Sequence, residues 1–142
     1  QTKTTMYKEI LIQKCPQILV LHLKRFSQSR TRAKLNTDVD FPLADLRLDK
    51  LVDVMSKVTK VVSILISRYV RSIRFLGPTP CYNLIGVSNH SGTAYSGHYI
   101  AQCKHPFTQQ WHEFNDSSVY SMNDKTRVIS SNAYVLFYER NR

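Results

Sequence analysis

Hydrophobic and polar positions fall into three regimes along the chain. In the first, Ile10-Leu11-Ile12 and Ile18-Leu19-Val20-Leu21-His22-Leu23 are short apolar runs rich in β-branched residues, parted by Cys15-Pro16. Runs of this length predict strands, the second one buried on both faces. Lys24-Arg25-Phe26 ends that run. Ser27 to Asn36, SQSRTRAKLN, is polar and basic and predicts a loop or hairpin tip. Pro42 pushes Phe41 out of the helical region, so Asp40-Phe41-Pro42-Leu43 predicts an extended turn.

The second regime covers residues 51–76. Leu51, Met55, Val58, Val62, Leu65, Tyr69, Ile73 and Leu76 recur at helical spacing, with Lys57, Lys60, Arg71 and Arg74 on the other side. This predicts a basic amphipathic helix, stopped by Gly77-Pro78. After Pro80 the strand pattern returns at Tyr82–Val87, Tyr99–Cys103, Trp111–Phe114 and Tyr134–Tyr138, joined by segments of Gly, Asn, Ser, Pro and Asp. The composite is α+β: an antiparallel sheet with at least one helix against it. No apolar run is long enough to span a membrane.

Composition bounds the class. A chain of 142 residues, 42% of them hydrophobic, suits one domain with a real core. Three cysteines without paired spacing, and no signal-like start, predict a reduced, intracellular chain, cytoplasmic or nuclear, whose first residue lies inside a longer protein. Net charge is +10 and uneven: residues 1–37 carry +7, 38–55 carry −3 and 56–78 carry +5. That balance permits an anionic partner, but scattered Lys and Arg more often form a solvated face. With no accompanying motif, no nucleic-acid partner is expected.

Two stretches carry candidate chemistry. In SNHSGTAYSGHYIA, Ser88 to Ala101, His98 follows Gly97 where a segment of small residues meets a strand. A neutral imidazole there suits proton transfer near neutrality; a histidine packed among aromatics is the plainer reading. Trp111 to Ser118, WHEFNDSS, runs from an alternating strand into an Asn-Asp turn. A side-chain amide or carboxylate there could accept a bond from a histidine ring and orient it; the same residues also suit an Asx turn or an N-cap. Together the two suggest the base and orienter of a cysteine or serine hydrolase. Cys103-Lys104-His105 is the one close Cys/His pair and no C-x-x-C exists, so no metal site is expected.

These motifs in this order resemble the ubiquitin-specific proteases, papain-like cysteine peptidases that remove ubiquitin from proteins. Pro16 to Phe26, PQILVLHLKRF, resembles that family's strand segment, and Tyr82 to Ala101 its histidine box. Trp111 to Val119, with Ser131 to Glu139, SNAYVLFYE, resembles its closing strands. The resemblance implies a papain-like fold, no catalytic cofactor, and ubiquitin and ubiquitinated proteins as partners. By position it makes His98 the general base and Asn115 its orienter, with Asp116 as a second candidate. It makes Ser88 to Tyr95 a mobile loop closing over the ubiquitin tail. Ser88, Asn89, His90, Ser91, Gly92, Gly97 and Tyr99 then become substrate-binding, Gly97 by letting the substrate backbone pass close to His98.

The chain also departs from the family. The nucleophile box, resembling G-N-T-C-[FY], has no match, and Cys15, Cys81 and Cys103 sit at no helix start. The two C-x-x-C pairs of the family's structural zinc are absent, so zinc is not expected here. Residues 1–142 are therefore expected to be the C-terminal part of a catalytic domain, with the Cys-box half missing and no activity alone. Residues 51–78 are an atypical insertion: an extra helix on the sheet, a gene-model artefact, or a surface for anionic membrane or a partner groove. The alternative to an enzyme is a non-catalytic ubiquitin-binding module or pseudoenzyme.

Overall fold

A computed structural model describes residues 10–12, 15–26, 34–48, 73–75 and 80–141. Among them the strands are β1 (Ile10–Ile12), β2 (Ile18–His22), β3 (Leu46–Arg47), β4 (Ile73–Phe75), β5 (Cys81–Gly92), β6 (Gly97–Lys104), β7 (Trp111–Asn115), β8 (Ser118–Met122) and β9 (Ala133–Arg140). Seven of them form one sheet in the order β2-β9-β5-β6-β7-β8, with β3 beside β5. Its pairings are antiparallel. β1 and β4 form a separate parallel pair, Ile10 opposite Ile73. A short 3₁₀ turn, Lys125–Val128, is capped by Asp124, whose carboxylate accepts from the Thr126 amide at 2.9 Å.

Alternation along β5 and β9 builds the core. Tyr82, Leu84 and Val87 of β5 and Leu136 and Tyr138 of β9 turn to one face, where Val39, Phe41, Leu46 and Leu48 pack on them. The two buried tyrosine hydroxyls find partners: Tyr138 Oη donates to the Pro42 carbonyl at 2.8 Å and Tyr82 Oη to that of Pro16 at 2.7 Å. The buried Arg25 bonds the Leu35 and Thr37 carbonyls at 3.0 and 2.8 Å and the Ala133 carbonyl at 2.5 Å. It thereby ties the segment after the polar loop to the start of β9.

The expected strands are present, and those after Pro80 reach further than the apolar runs because their ends are still paired. Two expectations need correction. β2 is not buried on both faces: Ile18 and Val20 are 43% and 52% exposed. They share a sheet face with Phe137, paired to Val20, and that face is open among the described residues. The helix over 51–76 does not extend through its end, because Ile73–Phe75 is strand β4. Its β-branched and aromatic residues suit a paired strand at least as well as a helix. The rest of that expectation, and the insertion at 51–78 apart from β4, lies outside the described residues. The polar stretch Ser27 to Asn36 closes as a hairpin at its described base, where Phe26 bridges Lys34 and the Leu35 amide donates to the Arg25 carbonyl at 2.7 Å. Among the described residues no helix is long and apolar enough to cross a membrane.

Candidate active site

The site is built on one end of the β5-β6-β7 meander. His98 lies at the start of β6, opposite Ser91 of β5. Asn115 ends β7, opposite Ser118. Ala101 pairs with Phe114, so the period of two turns His98 and Asn115 to the same face of the sheet. There His98 Nε2 lies 2.7 Å from Asn115 Oδ1. An amide oxygen only accepts, so Nε2 carries the proton and Nδ1 is left as the basic nitrogen. The ring is exposed, open to a reacting group.

Asp116 plays a different part in this geometry. β7 and β8 are joined by the two-residue turn Asp116-Ser117, and Asp116 has φ 50°. A tight hairpin needs a positive φ at its first turn position, and Asp accepts it better than most residues. The ring bond of His98 goes to Asn115.

The expected mobile loop at Ser88 to Tyr95 is corrected. Ser88 through Gly92 belong to β5, and the turn is only Thr93–Ser96. Thr93 Oγ1 accepts from the Tyr95 and Ser96 amides at 3.2 and 3.1 Å, which closes the turn locally. Gly92 has φ 110°, and a Cβ there would lie 2.5 Å from the Ser96 carbonyl oxygen, so glycine is required. Ser91, Gly92, Gly97 and Tyr99 are exposed near His98, and Ser88 is half-buried. Asn89 and His90 are each 3% exposed, which corrects the expectation that they present themselves to substrate. Each is covered by its own neighbours: Asn89 Oδ1 accepts from Ser130 Oγ at 3.0 Å, and the His90 ring lies among aromatics.

Gly97 also serves a neighbour other than the expected one. A Cβ on it would lie 2.2 Å from His90 Nε2 and 2.6 Å from the Ser91 carbonyl oxygen. The space beside Gly97 is therefore filled by the protein's own imidazole. Phe26, Lys34, Asn132 and Tyr134, which the sequence reading left aside, enclose that imidazole and its backbone. Their only signal in sequence is aromatic or polar residues at strand ends.

None of the three cysteines can reach His98. Cys81 is ten residues along β5 from Ser91, about 30 Å at strand rise. Cys103 is five residues along β6 from His98, about 17 Å away, and on the opposite face. Cys15 lies just before the end of β2 that pairs with Glu139, itself opposite Asn83 near the Cys81 end of β5. Burial and the Asp45 carboxylate push the Cys81 thiol up, and burial does the same for Cys103, so neither is an activated thiolate. Among the described residues no group of three His, Cys, Asp or Glu is placed to hold a metal ion.

Comparison with known proteins gives a consistent picture. The family model described as ubiquitin carboxyl-terminal hydrolase matches residues 1–138. Ubiquitin carboxyl-terminal hydrolase 2 of Gallus gallus is 46% identical over 140 residues, covering 98% of this chain and 33% of its own length. Ubiquitin carboxyl-terminal hydrolase Usp2 of Drosophila melanogaster is 37% identical over 140 residues, covering 99% of this chain and 13% of its own. The chain thus spans a third or less of these relatives. Among solved structures, the SAGA Ubp8/Sgf11/Sus1/Sgf73 DUB module bound to ubiquitin aldehyde is similar at TM-score 0.62 and 31% identity, over 89% of this chain and 25% of that one. The Ubp8-Sgf11-Sgf73-Sus1 module is similar at TM-score 0.62 and 34% identity, over 91% and 25%.

Proposed function

The chain belongs to the ubiquitin carboxyl-terminal hydrolase family, and from that premise we propose that it supplies the base and orienter of a deubiquitinating cysteine peptidase. The observation that carries this reading is the 2.7 Å pair of His98 Nε2 and Asn115 Oδ1. A cysteine outside these residues is the nucleophile. His98 Nδ1 takes the thiol proton, and the thiolate attacks the carbonyl of ubiquitin's C-terminal glycine. The resulting imidazolium keeps its Nε2–H on Asn115 and gives the other proton to the departing amine as the C–N bond breaks. Water, deprotonated by the same Nδ1, then attacks the thioester, releasing the ubiquitin carboxylate and the thiol.

Exposed Ser91, paired with His98, and the neighbouring Gly92 and Gly97 make the surface against which the ubiquitin tail lies, while Tyr99 turns to the other face of the sheet. The similar structure that holds ubiquitin aldehyde supports ubiquitin as the substrate. No cofactor enters the chemistry, and the 142 residues alone do not turn over. The test is hydrolysis of a C-terminal ubiquitin amide by the protein at its natural length. His98→Ala should lower kcat/KM by about 10²- to 10⁴-fold, the usual range for losing a general base. Unchanged hydrolysis in that variant would refute the assignment. Ubiquitin binding without hydrolysis by the unmodified protein would favour a non-catalytic module.

A further inference from the structure

We propose that His90 is a positioning residue for His98, its buried ring forming the seat on which both sequence neighbours of the base rest. The inference takes from the reading above that His98 is the base. It adds how that base is held.

The geometry comes from the register. β5 and β6 set His90 directly opposite Tyr99, the residue after His98. The two rings lie 4.6 Å apart between centroids, tilted at 51°. The same His90 ring fills the space where Gly97, the residue before His98, would carry a Cβ. One imidazole therefore touches the residues on both sides of the base. Displacing it would free both ends of the peptide that aims His98 at Asn115, and support of this kind fixes a reactive group's geometry.

The seat is itself fixed from three sides. Phe26 and Tyr134 bracket the ring, with centroids at 5.5 and 5.7 Å. The His90 amide donates to the Asn132 carbonyl at 2.8 Å, and Lys34 Nζ donates to the His90 carbonyl. His90 Nδ1 is buried and has no hydrogen-bond partner among the described residues. An unsatisfied buried nitrogen is destabilising, so an apolar residue would suit the core better. The compact, flat five-membered ring is what fits against a glycine on one side and a tyrosine ring on the other.

The experiment is imidazole ¹⁵N NMR of the histidine-labelled protein at its natural length, reading the His98 ratio of Nε2–H to Nδ1–H tautomers. His90→Ala and Tyr99→Ala should each lower that ratio by about threefold or more, the scale of one lost aromatic contact. Leu84→Ala, a cavity in the core six residues along β5 from His90, about 20 Å at strand rise, should leave it unchanged. Tyr99 is 54% exposed, so its variant stays folded and is decisive if His90→Ala does not. An unmoved ratio in folded His90→Ala or in Tyr99→Ala, or an equal change in Leu84→Ala, overturns the proposal. Asn115→Ala in the same spectra separates the two readings: no change there sinks the base–orienter pair, whereas the His90 and Tyr99 variants judge the seat.

Discussion

The imidazole of His98 reaches Asn115 from the neighbouring strand, Nε2 to Oδ1 at 2.7 Å, while the adjacent Asp116 is taken up by the hairpin turn. The pair fixes one tautomer and leaves Nδ1 to take a proton. Asn115→Ala should therefore lower kcat/KM for a ubiquitin amide by about 10²-fold, within the usual reach of general-base catalysis. Asp116→Gly, which keeps the positive φ, should lower it far less. Steady-state kinetics on the two variants check the ranking, and the reverse order would move the orienting role to the carboxylate.

The turn itself makes a stability prediction. Asp116→Ala loses the tolerance of Asp for φ 50° and should destabilise by up to about 1 kcal/mol. Asp116→Gly should be close to neutral. Chemical denaturation distinguishes them; equal midpoints would mean the turn relaxes out of this conformation.

Gly97 is constrained by its surroundings more than by its own backbone. With His90 Nε2 at 2.2 Å and the Ser91 carbonyl oxygen at 2.6 Å from a new Cβ, Gly97→Ala forces β5 and β6 apart. Overpacking of this kind costs roughly 1–3 kcal/mol. A thermal midpoint unchanged from the parent protein would show that His90 can move aside freely.

Burial, and then the Lys34 ammonium, hold the His90 imidazole below the usual histidine range. In the unfolded chain His90 takes a proton as pH falls through about 6.5, whereas in the folded chain it resists until a lower pH. The unfolded state then binds more protons, so stability falls on acidification from neutrality, and the loss ends below the folded value. Thermal midpoints between pH 7.5 and about 5 should drop less in His90→Phe than in the parent. Parallel slopes would remove His90 as the titrating group.

Tyr138 ties β9 to the segment that covers the sheet. It is fully buried, and its hydroxyl donates to the Pro42 carbonyl at 2.8 Å. Tyr138→Phe leaves that carbonyl without its partner and should cost about 1 kcal/mol. Denaturant titration measures it, and a more stable variant would contradict the packing described here.

How far the site was legible depended on the kind of information each residue carried. Strand positions were readable because alternation such as Tyr82, Leu84 and Leu136, Tyr138 directly encodes a buried face. His98 and Asn115 were readable as chemistry from residue type and motif, although their meeting is a consequence of the β6–β7 register. That register also hid what the motif suggested otherwise. Asn89 and His90 look like loop residues among Ser, Gly and Thr, yet pairing continues through Gly92 and buries them. Ile73–Phe75 fitted a helical period only because three residues cannot distinguish that period from a strand, and its β1 partner lies about sixty positions away. The exposed Ile18 and Val20 had no signal at all, since an apolar run reads the same whether or not its second face is covered.

The measurement that bears most directly on the account is adduct mapping. The protein at its natural length is treated with ubiquitin ending in a thiol-reactive group, with and without His98→Ala, and the modified residue is found by peptide mass spectrometry. The account predicts one adduct on a cysteine outside these 142 residues, formed far more slowly in His98→Ala. An adduct on Cys15, Cys81 or Cys103, or a rate indifferent to His98, would contradict it.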